Sequence, residues 1–128
     1  MTPKNHLTLE CHYGTNLTTT VTGIDPETSL TYRFDQFTDI QMHISVSAID
    51  PPYKIVPLEF DQGDPRQLVV EVLETQLMNS DVVSSMVLVN PPPYFVFSII
   101  GKKDGVNKVL FDGIINYTRF GAMKFSRL

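Results

Sequence analysis

The chain has 128 residues, of which 42% are hydrophobic and 19% charged, and its formal net charge is −4. That balance is typical of one globular domain with a sizeable core, and it excludes a disordered chain. The single cysteine excludes an internal disulfide, and no apolar run approaches the roughly 18 residues of a membrane span. Because the N-terminus lacks a basic-then-apolar leader, we expect synthesis in the reducing cytoplasm, no secretion by a signal peptide and no membrane partner.

The N-terminal part of the chain is predicted to form strands. Leu7 to Tyr13 alternates apolar and polar side chains, with Cys11 on the apolar face, where we expect it to be a core residue. A threonine-rich strand at 17–22 follows a turn at 14–16, and we expect the two strands to form a hairpin. Segment 30–37 has both strand and helix spacing, and we favour the strand.

The middle of the chain contains the clearest alternation. Ile40 to Ile49 predicts a long strand in an antiparallel sheet with one solvated face. Residues 53–60 resume as a strand that Pro57 interrupts. Because proline lacks an amide donor, this strand is predicted to lie at a sheet edge or to contain a bulge.

Residues 65–78 leave two interpretations open. Asp64 and Pro65 fit the N-cap and first position of a helix. The β-branched segment 68–72 alternates as a strand would. The sequence alone does not decide between a short helix and a strand here.

The stretch from Met86 to Tyr117 is the one around which the other strands are organised. Tyr94 to Ile100 is the most hydrophobic and β-prone segment, which predicts a strand covered on both faces. After the turn at 101–105, Val109 to Tyr117 should return beside it as a hairpin partner. The segments 82–89 and 120–128 complete the set of predicted strands.

These elements predict a single β-rich domain over residues 1–128. The predicted fold is mainly β, an antiparallel β-sandwich or small barrel of about eight or nine strands. One short helix near 65–78 stays possible within it.

The charges are unevenly distributed. Residues 1–101 carry four basic and twelve acidic side chains, whereas residues 102–128 carry six basic and two acidic ones. An acidic body with a basic end can bind a copy of itself or another acidic partner. The alternative is that the lysines solvate a strand edge and discourage edge-to-edge pairing. The predicted interaction residues are Lys102, Lys103, Lys108, Arg119, Phe120, Lys124 and Arg127.

No motif predicts catalysis. The chain has neither a phosphate-binding glycine loop nor a nucleophile elbow, and its histidines lack metal-ligand spacing. Cys11 and His12 are adjacent and would point to opposite faces of a strand, so they cannot serve each other. Glu59, Asp61 and Asp64 offer oxygen ligands without the spacing of the twelve-residue calcium loop, so calcium binding there stays open. We expect no enzyme activity, no catalytic residue, no metal site, no cofactor and no small-molecule substrate.

Two hypotheses about function follow. The leading one is a non-enzymatic structural or assembly protein, a repeated subunit that binds its own copies or other subunits of a larger particle. A phage or virus virion component (decoration, tail, connector or baseplate protein) is an example by fold-level analogy. The alternative is a β-sandwich interaction module, an adaptor or carbohydrate binder that recruits its partner through loops. Overall acidity disfavours nucleic acid, although Arg119-Phe120 and Lys124-Phe125 interleave basic and aromatic residues.

Overall fold

The computed structural model describes residues 5–12, 15–45, 51–52, 54–73 and 94–118. Within these ranges the chain is mainly β, with eight strands in two sheets, no α-helix and no closed barrel. The mainly β prediction is therefore confirmed. The strands are β1 His6–His12, β2 Leu17–Val21, β3 Thr38–Ser45, β4 Lys54–Pro57, β5 Glu59–Asp61, β6 Asp64–Val72, β7 Tyr94–Lys103 and β8 Val106–Thr118. No helix that could cross a membrane occurs in this part of the chain.

The two sheets have five and three strands. The larger has the order β1-β8-β7-β3-β4 and the smaller the order β2-β6-β5. Neighbouring strands are antiparallel except β1 and β8, which run parallel with Leu7 opposite Gly113. The parallel pair departs from the predicted all-antiparallel sandwich.

The sequence predicts the pairing of β7 with β8, but the turn is shorter than the predicted 101–105, because β7 continues to Lys103 and β8 begins at Val106. Only one face of β7 is buried, whereas the sequence predicts cover on both faces. The ten paired positions of the hairpin run from Tyr94 opposite Asn116 to Lys103 opposite Val106. Asp104 and Gly105 close it in left-handed backbone, with φ of 54° and 78°, which is the conformation that matches the twist of a tight hairpin. The predicted interruption at Pro57 is also confirmed, since it ends β4 at the edge of the larger sheet.

The predicted hairpin of β1 with β2 is wrong. β1 pairs with β8 in one sheet, and β2 pairs with β6 in the other. Both strands bury their apolar faces, which include Cys11 of β1 and Leu17 of β2, in the same core. Placing the strands in opposite sheets brings these faces together across the sandwich instead of side by side.

The helix left open near residues 65–78 is absent over 65–72, where the chain forms β6. Asp64 Oδ1 accepts the N–H of Arg66 at 3.0 Å. The side chain predicted to cap a helix therefore forms a local hydrogen bond at the start of β6. The β-branched alternation prevails because every second residue from Leu68 to Val72 is fully buried. Residues 74–78 lie outside the described residues, as do the predicted strands at 82–89 and 120–128.

Segment 23–37 closes one end of the sandwich without forming the strand expected at 30–37. It contains an isolated bridge between Ile24 and Thr31, followed by a 3-10 helix at Phe34–Gln36. The rings of Tyr32, Phe34 and Phe111 lie 5.7 to 6.1 Å apart between centroids. These aromatic rings pack in the hydrophobic core. The irregular backbone that places them there explains why neither strand spacing nor helix spacing describes residues 30–37.

Both sheets contribute to one hydrophobic core. Cys11 is buried in it, as predicted. None of the described residues buries a charged or polar side chain in this core. The largest fully buried side chains are Phe34, Phe95, Phe97, Phe111, Met42, Ile44, Leu68, Ile99, Leu110 and Ile115.

Candidate interaction surface

The structure brings three of the seven predicted interaction residues together at the tip of the β7–β8 hairpin. Lys102 and Lys103 lie on β7, and Lys108 lies on β8 opposite Gly101. The other four, Arg119, Phe120, Lys124 and Arg127, lie outside the described residues. The hairpin therefore forms the part of the predicted surface whose geometry is known.

The three lysines differ in their partners. Lys108 Nζ lies 3.1 Å from Glu27 Oε1 in an exposed ion pair. Lys103 Nζ donates to Gln36 Oε1 at 3.1 Å and lies 5.9 Å from the centroid of the Phe37 ring. Both partners of Lys103 are neutral, so its charge stays uncompensated. Lys102 forms no ion pair with any described residue.

Two valines beside these lysines are exposed. Val106 is 58% exposed and Val109 is 61% exposed. The turn between the strands is also exposed, and a Cβ added at Gly105 would meet no described atom within 4 Å. Exposed apolar side chains that are grouped and rimmed by polar residues are typical of a protein contact surface. Lys103 lies opposite Val106 and shares one face of the hairpin with it, whereas Lys102 and Val109 lie on the other face. We call these four residues, which surround the tip of the hairpin on both faces, the hairpin surface.

An open cleft of about 210 Å³ adjoins the hairpin surface. Its lining includes Asp25, Glu27, Tyr32, Lys103 and Lys108. Burial, followed by the nearby Asp25 and Glu27 carboxylates, raises the pKa of the Tyr32 phenol above its ordinary 10.0. Tyr32 therefore stays protonated at neutral pH. The cleft can hold a polar group, but its lining supplies no nucleophile paired with a base.

The outer face of the larger sheet carries a polar row that no spacing in the sequence reveals. His6, Asp112, Ser98 and His43 are successive neighbours across β1, β8, β7 and β3. His6 Nδ1 lies 2.9 Å from Asp112 Oδ1, whereas His43 Nε2 lies 3.1 Å from Gln41 Oε1. Within the described ranges, no hydrogen bond joins Ser98 to either imidazole. These are the residue types of a catalytic triad, but they lie side by side on an open sheet and do not converge.

The acidic residues considered for calcium serve the turn between β5 and β6. Asp61 Oδ1 accepts the Gly63 N–H at 2.8 Å, and Asp64 Oδ1 accepts the Arg66 N–H at 3.0 Å. These bonds are the local side-chain to backbone contacts that aspartate makes in turns. Across the described ranges, no group of three or more His, Cys, Asp or Glu side chains is placed to hold a metal ion.

The fold and the hairpin surface define the chain as a small two-sheet β-sandwich with an exposed hairpin that is both basic and apolar. No protein-family model, curated protein or solved structure matches the chain. Its function is therefore argued from the described surfaces.

Proposed function

We propose that the chain is a non-enzymatic structural or assembly protein that acts as a repeated subunit of a larger particle. The observation that carries this proposal is the hairpin surface, where Val106 and Val109 are exposed near Lys102 and Lys103, which form no ion pair with any described residue. By analogy with small β-rich assembly proteins, the particle we propose is a virion, with the chain as a decoration, tail, connector or baseplate component.

The terminal strands of the two sheets support the same proposal. Among the described strands, β1 and β4 are terminal in the larger sheet, and β2 and β5 are terminal in the smaller sheet. Terminal strands present backbone donors and acceptors that a neighbouring chain can satisfy. Proline and a short length protect β4 and β5, whereas the five residues of β2 contain neither proline nor charge.

Under this proposal, the small size of the hairpin surface favours many contacts over a single one. Burying the exposed parts of Val106 and Val109 contributes on the order of 2–4 kcal/mol in total. Association itself costs at least about 4 kcal/mol in lost translational and rotational freedom. One such contact cannot hold a stable dimer alone, but repeated contacts in a ring or lattice reinforce one another.

The cleft beside the hairpin supports a second candidate function. A β-sandwich interaction module, as an adaptor or carbohydrate binder, would use the Tyr32 hydroxyl and the Asp25 and Glu27 carboxylates as hydrogen-bonding groups for its partner. In that case the chain would act as a monomer that binds a different molecule.

Light scattering during a salt titration distinguishes the two functions. We expect particles several times heavier than the 14.5 kDa chain at low salt, which dissociate as salt screens the lysines. Substituting Val106→Asp and Val109→Asp should abolish the particles. The matched control, Thr22→Asp with Ser29→Asp, adds the same charge at exposed positions outside the hairpin and outside the terminal strands and should leave them intact. A wild-type monomer at every protein and salt concentration would contradict self-assembly and favour the interaction module.

A further inference from the structure

A groove of about 410 Å³ follows the terminal strand β5 on the smaller sheet. The described residues of its lining combine apolar side chains with carboxylates and include no lysine or arginine. No ion pair among the described residues involves any of these carboxylates. The side chains that matter here are Leu58, Phe60, Val69, Glu59, Asp61 and Glu71. The groove therefore offers an apolar floor and three uncompensated negative charges.

The hairpin surface is complementary to this groove in charge and in polarity. Residues 102–109 carry three lysines and one carboxylate, Asp104, and Glu27 neutralises Lys108. A net positive charge thus remains on the hairpin, beside the exposed Val106 and Val109. Opposite charge around an apolar contact fixes the register of an interface and accelerates association.

The two surfaces have to meet between different copies. None of the residues that line the groove comes from the hairpin of the same copy. Two grooves placed face to face would oppose like charges, and so would two hairpins. The arrangement without this repulsion is a hairpin of one copy against the groove of another.

We propose that the hairpin surface of one copy binds the β5 groove of the next copy. Because Lys102 and Lys103 lie on opposite faces of the hairpin, the tip inserts into the groove. Their ammonium groups pair with the carboxylates of Glu59 and Glu71 from the two sides of the tip, and the valines contact the apolar side chains of the groove. Because two different surfaces meet, a pair of copies still has one free groove and one free hairpin, and adding further copies generates closed rings or open filaments. This inference rests on the proposed function and names the contact through which its subunits repeat.

Charge exchange tests the contact. Three variants are compared with the wild type by light scattering: Lys102→Glu with Lys103→Glu, Glu59→Lys with Glu71→Lys, and a chain that carries all four substitutions. We expect each pair alone to reduce the particle to the 14.5 kDa monomer. The fourfold chain keeps the net charge of −4 and restores complementarity in the opposite sense, so we expect it to assemble again.

A control exchange outside both surfaces, Glu10→Lys with Lys54→Glu, should leave the particle unchanged. Circular dichroism establishes that each variant folds, and Gln replaces the reversed charge in any variant that does not. If the wild type assembles while either pair of substitutions has no effect, or if the fourfold chain stays monomeric, the contact is wrong and the proposed function stands. A wild type that never assembles overturns both.

Discussion

Replacing Gly113 by alanine tests the parallel pairing of β1 with β8. A Cβ at this position would lie 1.8 Å from the carbonyl oxygen of Leu7 and 2.9 Å from its amide nitrogen. Cβ atoms essentially never approach a heavy atom within 3.0 Å, so β1 would have to move away from β8 by about 1.2 Å. Both atoms belong to backbone, and no side-chain rotation relieves the contact.

This displacement has a definite cost. Backbone hydrogen bonds around Leu7 would lengthen or break, and each contributes about 0.5–1.5 kcal/mol net. With two or three of them lost, we expect the Gly113→Ala free energy of unfolding to fall by about 2–4 kcal/mol. Such a fall is a large part of the roughly 5–15 kcal/mol that stabilises a typical domain.

Urea denaturation followed by circular dichroism measures this loss. Gly63→Ala is the matched control, because its Cβ would meet nothing closer than Asp61 Oδ1 at 3.4 Å, an ordinary contact. We expect the control to change the free energy of unfolding by less than about 0.5 kcal/mol. Equal stability of the two variants would refute the close approach of Leu7 to Gly113.

Two further predictions concern the segment that closes the sandwich. Asn5→Ala removes both hydrogen bonds between its amide and the backbone of Ile24, at 2.8 and 3.0 Å, and should cost about 1–3 kcal/mol in urea denaturation; a change no larger than that of the exposed Asn107→Ala would contradict it. The raised pKa of Tyr32 means that folding favours its protonated phenol, so this stabilisation is present below pH 10.0 and is lost as pH rises through the folded pKa. Absorbance titration should show a tyrosine ionisation above pH 10.0 that Tyr32→Phe removes, and an unchanged titration curve in that variant would refute the assignment.

Sequence patterns predicted the pairing of β7 with β8, two strands that are neighbours in the chain. Tyr94 to Ile100 combines a β-prone composition with a turn that allows one tight reversal, so its pairing with β8 follows from local chemistry. The break at Pro57 follows equally from its missing amide. In β6, Asp64 predicted the start of a helix, whereas the β-branched residues predicted a strand. The strand forms because it buries Leu68 in the core.

The remaining pairings depend on distant parts of the chain. Alternation in β1 identifies Cys11 as buried, but it cannot show that β8, rather than β2, lies alongside. The same limit applies to the surfaces. Charge counting found the lysines of the hairpin, whereas the exposure of Val106 depends on the final packing. The groove joins Glu59 to Glu71 only because β5 pairs with β6.

Pairing the first strand with the eighth has a consequence for biosynthesis. His6 and Asp112 are 106 positions apart, so β1 leaves the ribosome long before the strand it joins has been translated. Contacts between such distant segments slow folding, and an unsatisfied first strand is prone to exchange between nascent chains. The larger sheet can therefore be completed only after β8 has been translated, which makes its closure a late step of folding.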